Sequence, residues 1–128
     1  MPRYFNPETI CQPFNPYSQG VEVRAGSRLV YLAGQVGADK DGNIYGDFES
    51  QAKQTYRNIE AILQDAGMGF ENLVKMTTFL IDPEDAPKMR EIRKSFLQDV
   101  RPAHTLLFIS RLAFPEFLIE VEAIAAED

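Results

Sequence analysis

Two glutamates near the end of the chain have the residue type and spacing for acid–base chemistry. Glu120 and Glu122 alternate with Ile119 and Val121 in residues 117–125, a pattern that predicts a β-strand. Successive strand side chains point to opposite faces, so both carboxylates lie on one face and the apolar residues on the other. The ordinary interpretation is a solvent-facing pair. The functional one is a carboxylate in a cleft, where partial burial raises the pKa of the carboxyl group and makes it a better base.

The single histidine, His104, follows Pro102 and Ala103 at the start of another β-rich segment. A lone histidine is usually structural, but an imidazole also titrates near neutral pH and can donate a proton there. A histidine-based mechanism must take its partners from carboxylates or backbone groups, because the sequence holds no second histidine.

A tyrosine and a glycine pair are weaker candidates. Tyr17, which follows Asn15 and Pro16, either fills the core or walls a pocket with an apolar ring face and a hydroxyl group. The run GQVG at residues 34–37 follows a strand, but no helix begins at once after it, so it is a poor dinucleotide-binding motif. The sequence motifs of P-loops, zinc peptidases, serine hydrolases and dithiol redox sites are absent.

Charge and cysteine content argue against several classes of protein. The chain has 13 basic and 19 acidic residues, a net charge of −6, and its one basic cluster, at residues 88–94, lies among acidic residues. Nucleic-acid binding needs a basic patch, so we expect no nucleic-acid partner. The lone Cys11 cannot form an intramolecular disulfide, and no His/Cys cluster predicts a metal site. We also expect no membrane span, no signal peptide and a cytoplasmic location.

Hydrophobic periodicity predicts one α+β domain, residues 1–128, with the element order β-β-α-β-α-β-β. Residues 1–19 contain four prolines and predict an irregular lead-in. The first helix begins after Asp47 and ends before Gly67, and the second begins near Pro87. The predicted strands are residues 21–25 and 29–33, which form a hairpin across Gly26 and Ser27, and residues 73–81, 105–109 and 117–125.

The strand at residues 105–109 predicts self-association, because it is apolar on both faces. Leu106 and Phe108 point opposite to Leu107 and Ile109. In a single mixed sheet, two helices can cover one face, and a second face left to water should be polar. We therefore expect another copy of the chain to cover the second face.

Four short motifs resemble the RidA/YjgF family of reactive intermediate deaminases, also described as endoribonuclease L-PSP proteins. They are PYSQG at residues 16–20, AGQ at 33–35, PAHT at 102–105 and LIEVEAIA at 118–125. The resemblance covers about residues 16–125. It implies a chorismate-mutase-like homotrimer with clefts between adjacent subunits. It also implies cofactor-free hydrolysis of 2-imino acids, the products of dehydratases that depend on pyridoxal phosphate, to 2-keto acids and ammonia.

The resemblance further implies residue roles. Tyr17 would line the cleft, the backbone at Ala33 and Gly34 would hold the substrate, and Glu120 would position or activate the attacking water. Deaminating members have an arginine at the position of His104. An arginine binds a carboxylate through two parallel hydrogen bonds, which a histidine cannot form. His104 is then a donor or acid. The arginines that could replace the missing one are Arg24, Arg28, Arg90 and Arg101, of which we place Arg90 in the predicted substrate site.

Three functions stay open at this point. One is a deaminase for an imine other than the usual small ones, since the short His104 leaves room for a bulkier substrate. Another is a non-catalytic relative that binds a small carboxylate or a protein partner in the same cleft. The third is a ribonuclease or translation inhibitor, against which the acidic charge counts. The resemblance also predicts that His104→Arg creates or strengthens activity on small 2-imino acids.

Overall fold

The computed structural model describes residues 2–128, which form six strands and two α-helices. The strands are β1 (Arg3–Phe5), β2 (Gly20–Glu22), β3 (Arg28–Val36), β4 (Leu73–Leu80), β5 (Ala103–Phe108) and β6 (Ile119–Glu127). The helices are α1 (Phe48–Asp65), between β3 and β4, and α2 (Ala86–Leu97), between β4 and β5. The predicted order is therefore found, with β1 added inside the lead-in that was expected to be irregular.

The first helix begins and ends where its sequence predicts. The Asp47 side chain accepts a hydrogen bond of 3.0 Å from the backbone N–H of Ser50, which satisfies one of the donors left free in the first turn. At the other end, Gly67 has a φ of 73°, a conformation that glycine adopts without steric cost. Its N–H bonds to the carbonyl group of Gln64, which closes the last turn.

The main sheet is mixed and has four strands in the order β3-β6-β4-β5. β6 runs antiparallel to both β3 and β4, whereas β4 and β5 are parallel. Parallel neighbours need a crossover connection, and α2 supplies it. Both helices pack on one face of this sheet around a shared core. The predicted α+β class, with one mixed sheet and two helices on one face, is confirmed.

The hairpin predicted from residues 21–25 and 29–33 is wrong. The turn itself forms, with Gly26 at a φ of 85° and a hydrogen bond from the N–H of Ser27 to the carbonyl group of Arg24. However, β2 pairs with β1 in a separate two-stranded sheet, and β3 pairs with β6. β3 pairs with β6 because β6 has nine residues, whereas β2 has three. The buried side chains of β6 also complete the core.

The two faces of the main sheet carry different candidate residues. The core face presents Leu32, Met76, Leu80, Ile119, Val121, Ala123 and Ala125 to the helices. The strand register places His104 beside Met76, and Glu120 beside Phe79. Met76 and Phe79 are three residues apart on β4 and point to opposite faces. His104 therefore lies on the face that the helices cover, and Glu120 lies on the other.

The face that carries Glu120 is uncovered in the single chain. Tyr31 on β3 is 72% exposed and Leu107 on β5 is 44% exposed. Ile124 lies directly opposite Tyr31 in the register and extends the apolar surface onto β6. A sheet face left to water is expected to be polar, so exposed apolar side chains on it indicate an interaction site. The apolar pattern of residues 105–109 predicts a partner on this face. That the partner is another copy of the chain stays a prediction.

A buried glutamine on α1 fixes the loops that flank the sheet. The Gln51 side chain donates to the carbonyl groups of Tyr45 (2.7 Å) and Glu116 (2.8 Å), and accepts from the N–H of Leu118 (2.9 Å). Gly37 packs so closely against it that an added Cβ would lie 2.5 Å from the Gln51 Cα. The loop after β3 and the loop before β6 are thereby tied to the same helix.

Candidate functional site

A cavity of about 190 Å³ lies between α2, β5 and the lead-in before β2. It brings together three residues predicted from the sequence, which are Tyr17, Arg90 and His104. The remaining wall consists of Phe14, Asn15, Met89, Arg93 and Leu106. A second cavity, of about 250 Å³, lies next to it and shares Asn15, Arg90 and Arg93. The first of these cavities is the candidate site.

Ser18 holds Tyr17 in place beside the start of β5. The Ser18 N–H donates to the carbonyl group of Pro102 at 3.2 Å, and its hydroxyl donates to that of Arg101 at 2.6 Å. Ser18 is almost fully buried and forms an isolated parallel bridge with Ala103. The lead-in therefore runs along β5 for a short distance, which sets the Tyr17 ring at the wall of the cavity near His104.

The imidazole of His104 is held on both of its nitrogens. A guanidinium nitrogen of Arg93, Nη1, lies 2.7 Å from Nδ1 and 3.3 Å from Nε2. The hydroxyl oxygen of Thr78, on β4, lies 2.8 Å from Nε2. An arginine can only donate, so Nδ1 must accept. This assigns the ring proton to Nε2, from which it is donated to Thr78.

The surroundings of His104 keep its ring neutral. Burial of the ring, together with the positive charges of Arg93, Lys75 and Arg90, lowers the pKa of His104 to about 3. Burial disfavours a charged imidazole, and neighbouring cations add to that effect. At neutral pH, His104 is therefore a hydrogen-bonding group and not a cation.

Arg93 is the cavity residue that sequence reasoning missed. It belongs to α2, is 6% exposed, and lines both cavities. Arg93 is part of the basic cluster at residues 88–94, of which only Arg90 was predicted to lie in the substrate site. The spacing of residues along α2 indicates that Arg93 is buried. Arg93 follows the fully buried Met89 by four residues, which places both on one face of the helix.

The remaining predicted residues, Glu120, Gly34 and Ala33, form a second group apart from the cavity. Glu120 is partly buried and lies over Gly34, where an added Cβ would overlap its carboxylate. Ala33 is exposed beside them on β3. This group belongs to the uncovered face of the sheet, so within one chain it does not meet His104. The structure thus divides the predicted site into two halves.

Two further observations concern residues 2–128, the part of the chain that the structure describes. No group of three or more His, Cys, Asp or Glu side chains among them is arranged to hold a metal ion. No helix among them is long and apolar enough to cross a membrane.

The fold and the cavity define a small α+β protein with a cationic site beside an edge strand. Comparison with known proteins identifies the family. The sequence model described as "Endoribonuclease L-PSP" matches residues 8–127. The mouse 2-iminobutanoate/2-iminopropanoate deaminase is 37% identical over 114 residues, which are 88% of this chain and 82% of the mouse protein.

Solved structures agree with the sequence comparison. A Rid-family protein of unknown function from Yersinia pestis superposes with a TM-score of 0.86 over 98% of each chain, at 27% identity. Escherichia coli TdcF with bound serine superposes with a TM-score of 0.74, at 28% identity, over 98% of this chain and 99% of that one. The chain belongs to the RidA/YjgF family, as its four motifs indicated.

Proposed function

We propose that this protein is an imine deaminase, which hydrolyses 2-imino acids to 2-keto acids and ammonia in clefts between the subunits of a homotrimer. The observation that carries the proposal is the cavity that joins the Tyr17 ring to the buried guanidinium of Arg93. A 2-imino acid has a carboxylate that a guanidinium binds well and a short carbon chain that suits an apolar wall. The mouse relative bears the name of this activity.

Self-association would complete the site. None of the described residues that line the cavity is acidic, so the single chain offers no carboxylate base there. Glu120 lies on the uncovered face, in one row of the sheet with Phe79 and Leu107. If the uncovered face of one subunit packs against the β5 edge of a second subunit, Glu120 of the first subunit reaches the cavity of the second. Covering this face also removes exposed Tyr31 and Leu107 from water.

The reaction needs only an oriented water molecule and a place for one proton. Water attacks the iminium carbon while Glu120 accepts a proton from it, which gives a tetrahedral carbinolamine. Glu120 returns that proton to the nitrogen, the C–N bond breaks, and ammonia leaves. The remaining hydroxyl group loses its proton to the ammonia as the keto acid forms, so the products of one water and one iminium carboxylate are a keto acid and an ammonium ion. A carboxylate held beside the attacking water is a suitable base for this step.

The test is hydrolysis of freshly generated 2-iminopropanoate and 2-iminobutanoate, followed as the loss of the imine and the release of ammonia. Wild type is compared with Glu120→Gln, which keeps the shape of the side chain but removes the base. Glu122→Gln is the matched control, since it stands two residues away on the same face of β6. We expect Glu120→Gln to lose about 100-fold or more of the catalysed rate and Glu122→Gln to keep it. Light scattering should give about three times 14.5 kDa for all three proteins.

The lack of an acidic residue in the cavity of the single chain supports one other candidate, a protein that binds a small carboxylate without turnover. It predicts that keto acids stabilise wild type against heat while imine decay stays at its uncatalysed rate. A monomeric mass with no catalysis would refute the deaminase proposal and leave this one.

A further inference from the structure

The strongest unexplained feature of the molecule is a buried positive charge without a negative partner. Arg93 is 6% exposed, yet none of the ion pairs among residues 2–128 includes it. Burial of its side chain and the nearby Arg90 cation lower the pKa of Arg93, but a guanidinium stays charged throughout the ordinary pH range. An uncompensated buried charge is costly, so the fold is expected to retain it for a ligand.

The donors of this guanidinium are mostly unused. An arginine side chain has five N–H donors in a fixed planar arrangement. In the part of the chain that the structure describes, the Arg93 guanidinium donates only to Nδ1 of His104, from Nη1. The other donors of the guanidinium have no acceptor among residues 2–128, and the side chain lines the cavity that also contains Tyr17. A planar anion such as a carboxylate fits such a set of free donors.

We infer that Arg93 is the residue that binds the ligand's carboxylate in this cavity, and that His104 is its positioning residue. The identity of the ligand as a 2-imino acid rests on the proposed function; the carboxylate site does not. His104 acts through its acceptor Nδ1, which holds Nη1 in place, while the Thr78 hydroxyl fixes the far side of the ring. A neutral ring is required, because a protonated imidazole would present a donor to a donor.

The same geometry changes what an arginine at position 104 is expected to do. An arginine side chain at position 104 would occupy the place of the His104 ring, whose Nδ1 lies 2.7 Å from Nη1 of Arg93. Two buried cations would therefore be brought together. Like charges at this separation repel strongly where water is excluded. The gain of activity that the family resemblance predicts for His104→Arg should therefore require Arg93 to be replaced as well.

Binding of pyruvate, a stable product of the proposed reaction, tests the inference without turnover. Isothermal titration compares wild type, Arg93→Met and Arg93→Lys, with pyruvamide as the uncharged analogue of the ligand. We expect Arg93→Met to weaken pyruvate binding about 100-fold, and Arg93→Lys about tenfold, because lysine keeps the charge but loses the planar set of donors. Pyruvamide should bind all three proteins equally poorly. Arg57→Gln, an exposed arginine on α1, is the control and should match wild type.

The positioning role of His104 has its own readout. Asparagine offers an acceptor near the place of Nδ1, whereas leucine offers none. We expect His104→Asn to bind pyruvate within a few-fold of wild type and His104→Leu to bind about tenfold more weakly. In imine hydrolysis, His104→Leu should raise KM with little change in kcat, because it disturbs binding and not the attacking water.

The outcomes separate this inference from the proposed function. If wild type does not hydrolyse 2-imino acids but its pyruvate binding depends on Arg93, the deaminase proposal fails and the carboxylate site stands. If folded Arg93→Met and Arg93→Lys bind pyruvate as wild type does, or if wild type does not bind it at all, the inference is overturned. Should the methionine variant not fold, the Nε–H signal of Arg93 in the nuclear magnetic resonance spectrum of wild type decides. The signal must shift on addition of pyruvate, and an unchanged signal overturns the inference.

Discussion

The stability of this protein should fall between pH 7 and pH 5 because of one residue, His104. In the folded chain, burial of the ring and the adjacent cations Arg93, Lys75 and Arg90 lower the pKa of His104 to about 3, while the unfolded chain has the ordinary histidine pKa of about 6.5. The unfolded chain therefore takes up a proton in this range and the folded chain does not. Uptake of a proton by the unfolded state alone lowers the free energy of unfolding. The contribution of His104 is complete above pH 6.5 and is lost as the pH falls toward 3.

The size of the effect follows from the two pKa values. Each pH unit below 6.5 removes about 1.4 kcal/mol, so the free energy of unfolding should drop by about 2 kcal/mol between pH 7 and pH 5. Any folded pKa below about 4 gives nearly the same loss at pH 5, because the folded ring is still unprotonated there. The prediction thus requires a folded pKa below about 4 but not an exact value. His104 is the only histidine, so no other imidazole contributes.

The assay is urea unfolding followed by circular dichroism at pH 5.0, 5.5, 6.0, 6.5 and 7.0, at one protein concentration. His104→Asn is the control, since it keeps an acceptor for Arg93 but does not titrate, and subtracting its profile removes the effects of carboxyl groups. A difference that stays constant from pH 7 to pH 5 would refute the reasoning. It would mean that His104 has an ordinary pKa in the folded chain, and that the imidazole is not held neutral beside Arg93.

Two further predictions concern side chains packed inside the fold. Gln51→Met should lower the free energy of unfolding by about 3 kcal/mol, because three backbone groups lose their partners at about 1 kcal/mol each. Gln64→Met, at an exposed position of the same helix, should change it by less than about 0.5 kcal/mol in the same urea titration. Tyr56→Phe should leave stability unchanged or raise it by about 1 kcal/mol in thermal unfolding, because the fully buried Tyr56 hydroxyl has no hydrogen-bond partner among the described residues. A clear loss of stability in Tyr56→Phe would instead reveal a partner for that hydroxyl group.

Local signals in the sequence were sufficient for features that depend on neighbouring residues. Asp47 and Gly67 delimit α1 because a cap and a left-handed glycine act on the adjacent turn. The turn at Gly26 and Ser27 was also predicted correctly. The pairing of the strands on either side of it was not, because a turn fixes where the chain reverses and not which strand becomes the partner. β3 pairs instead with β6, about ninety residues further along the chain, whose buried face completes the core.

The division of the site into two halves also depends on strand pairing, which local sequence signals do not determine. Family motifs selected Tyr17, His104 and Glu120, but only the register across β4 reveals that His104 and Glu120 lie on opposite faces of the sheet. Arg93 lay outside every motif. Its helical spacing from Met89 indicated burial, but its contact with His104 depends on how α2 docks on β5, which is a property of the tertiary structure.

The lone cysteine gives the molecule a built-in place for a spectroscopic probe. Cys11 is exposed and lies three residues before Phe14, which is part of the cavity wall. The carbonyl group of Cys11 accepts a hydrogen bond of 2.9 Å from the Gln19 side chain. A dye attached to its thiol therefore lies in the lead-in segment that borders the cavity, without any engineered substitution. Mixing donor-labelled and acceptor-labelled protein would report exchange of subunits as energy transfer, while quenching of a single dye would report occupancy of the cavity in real time.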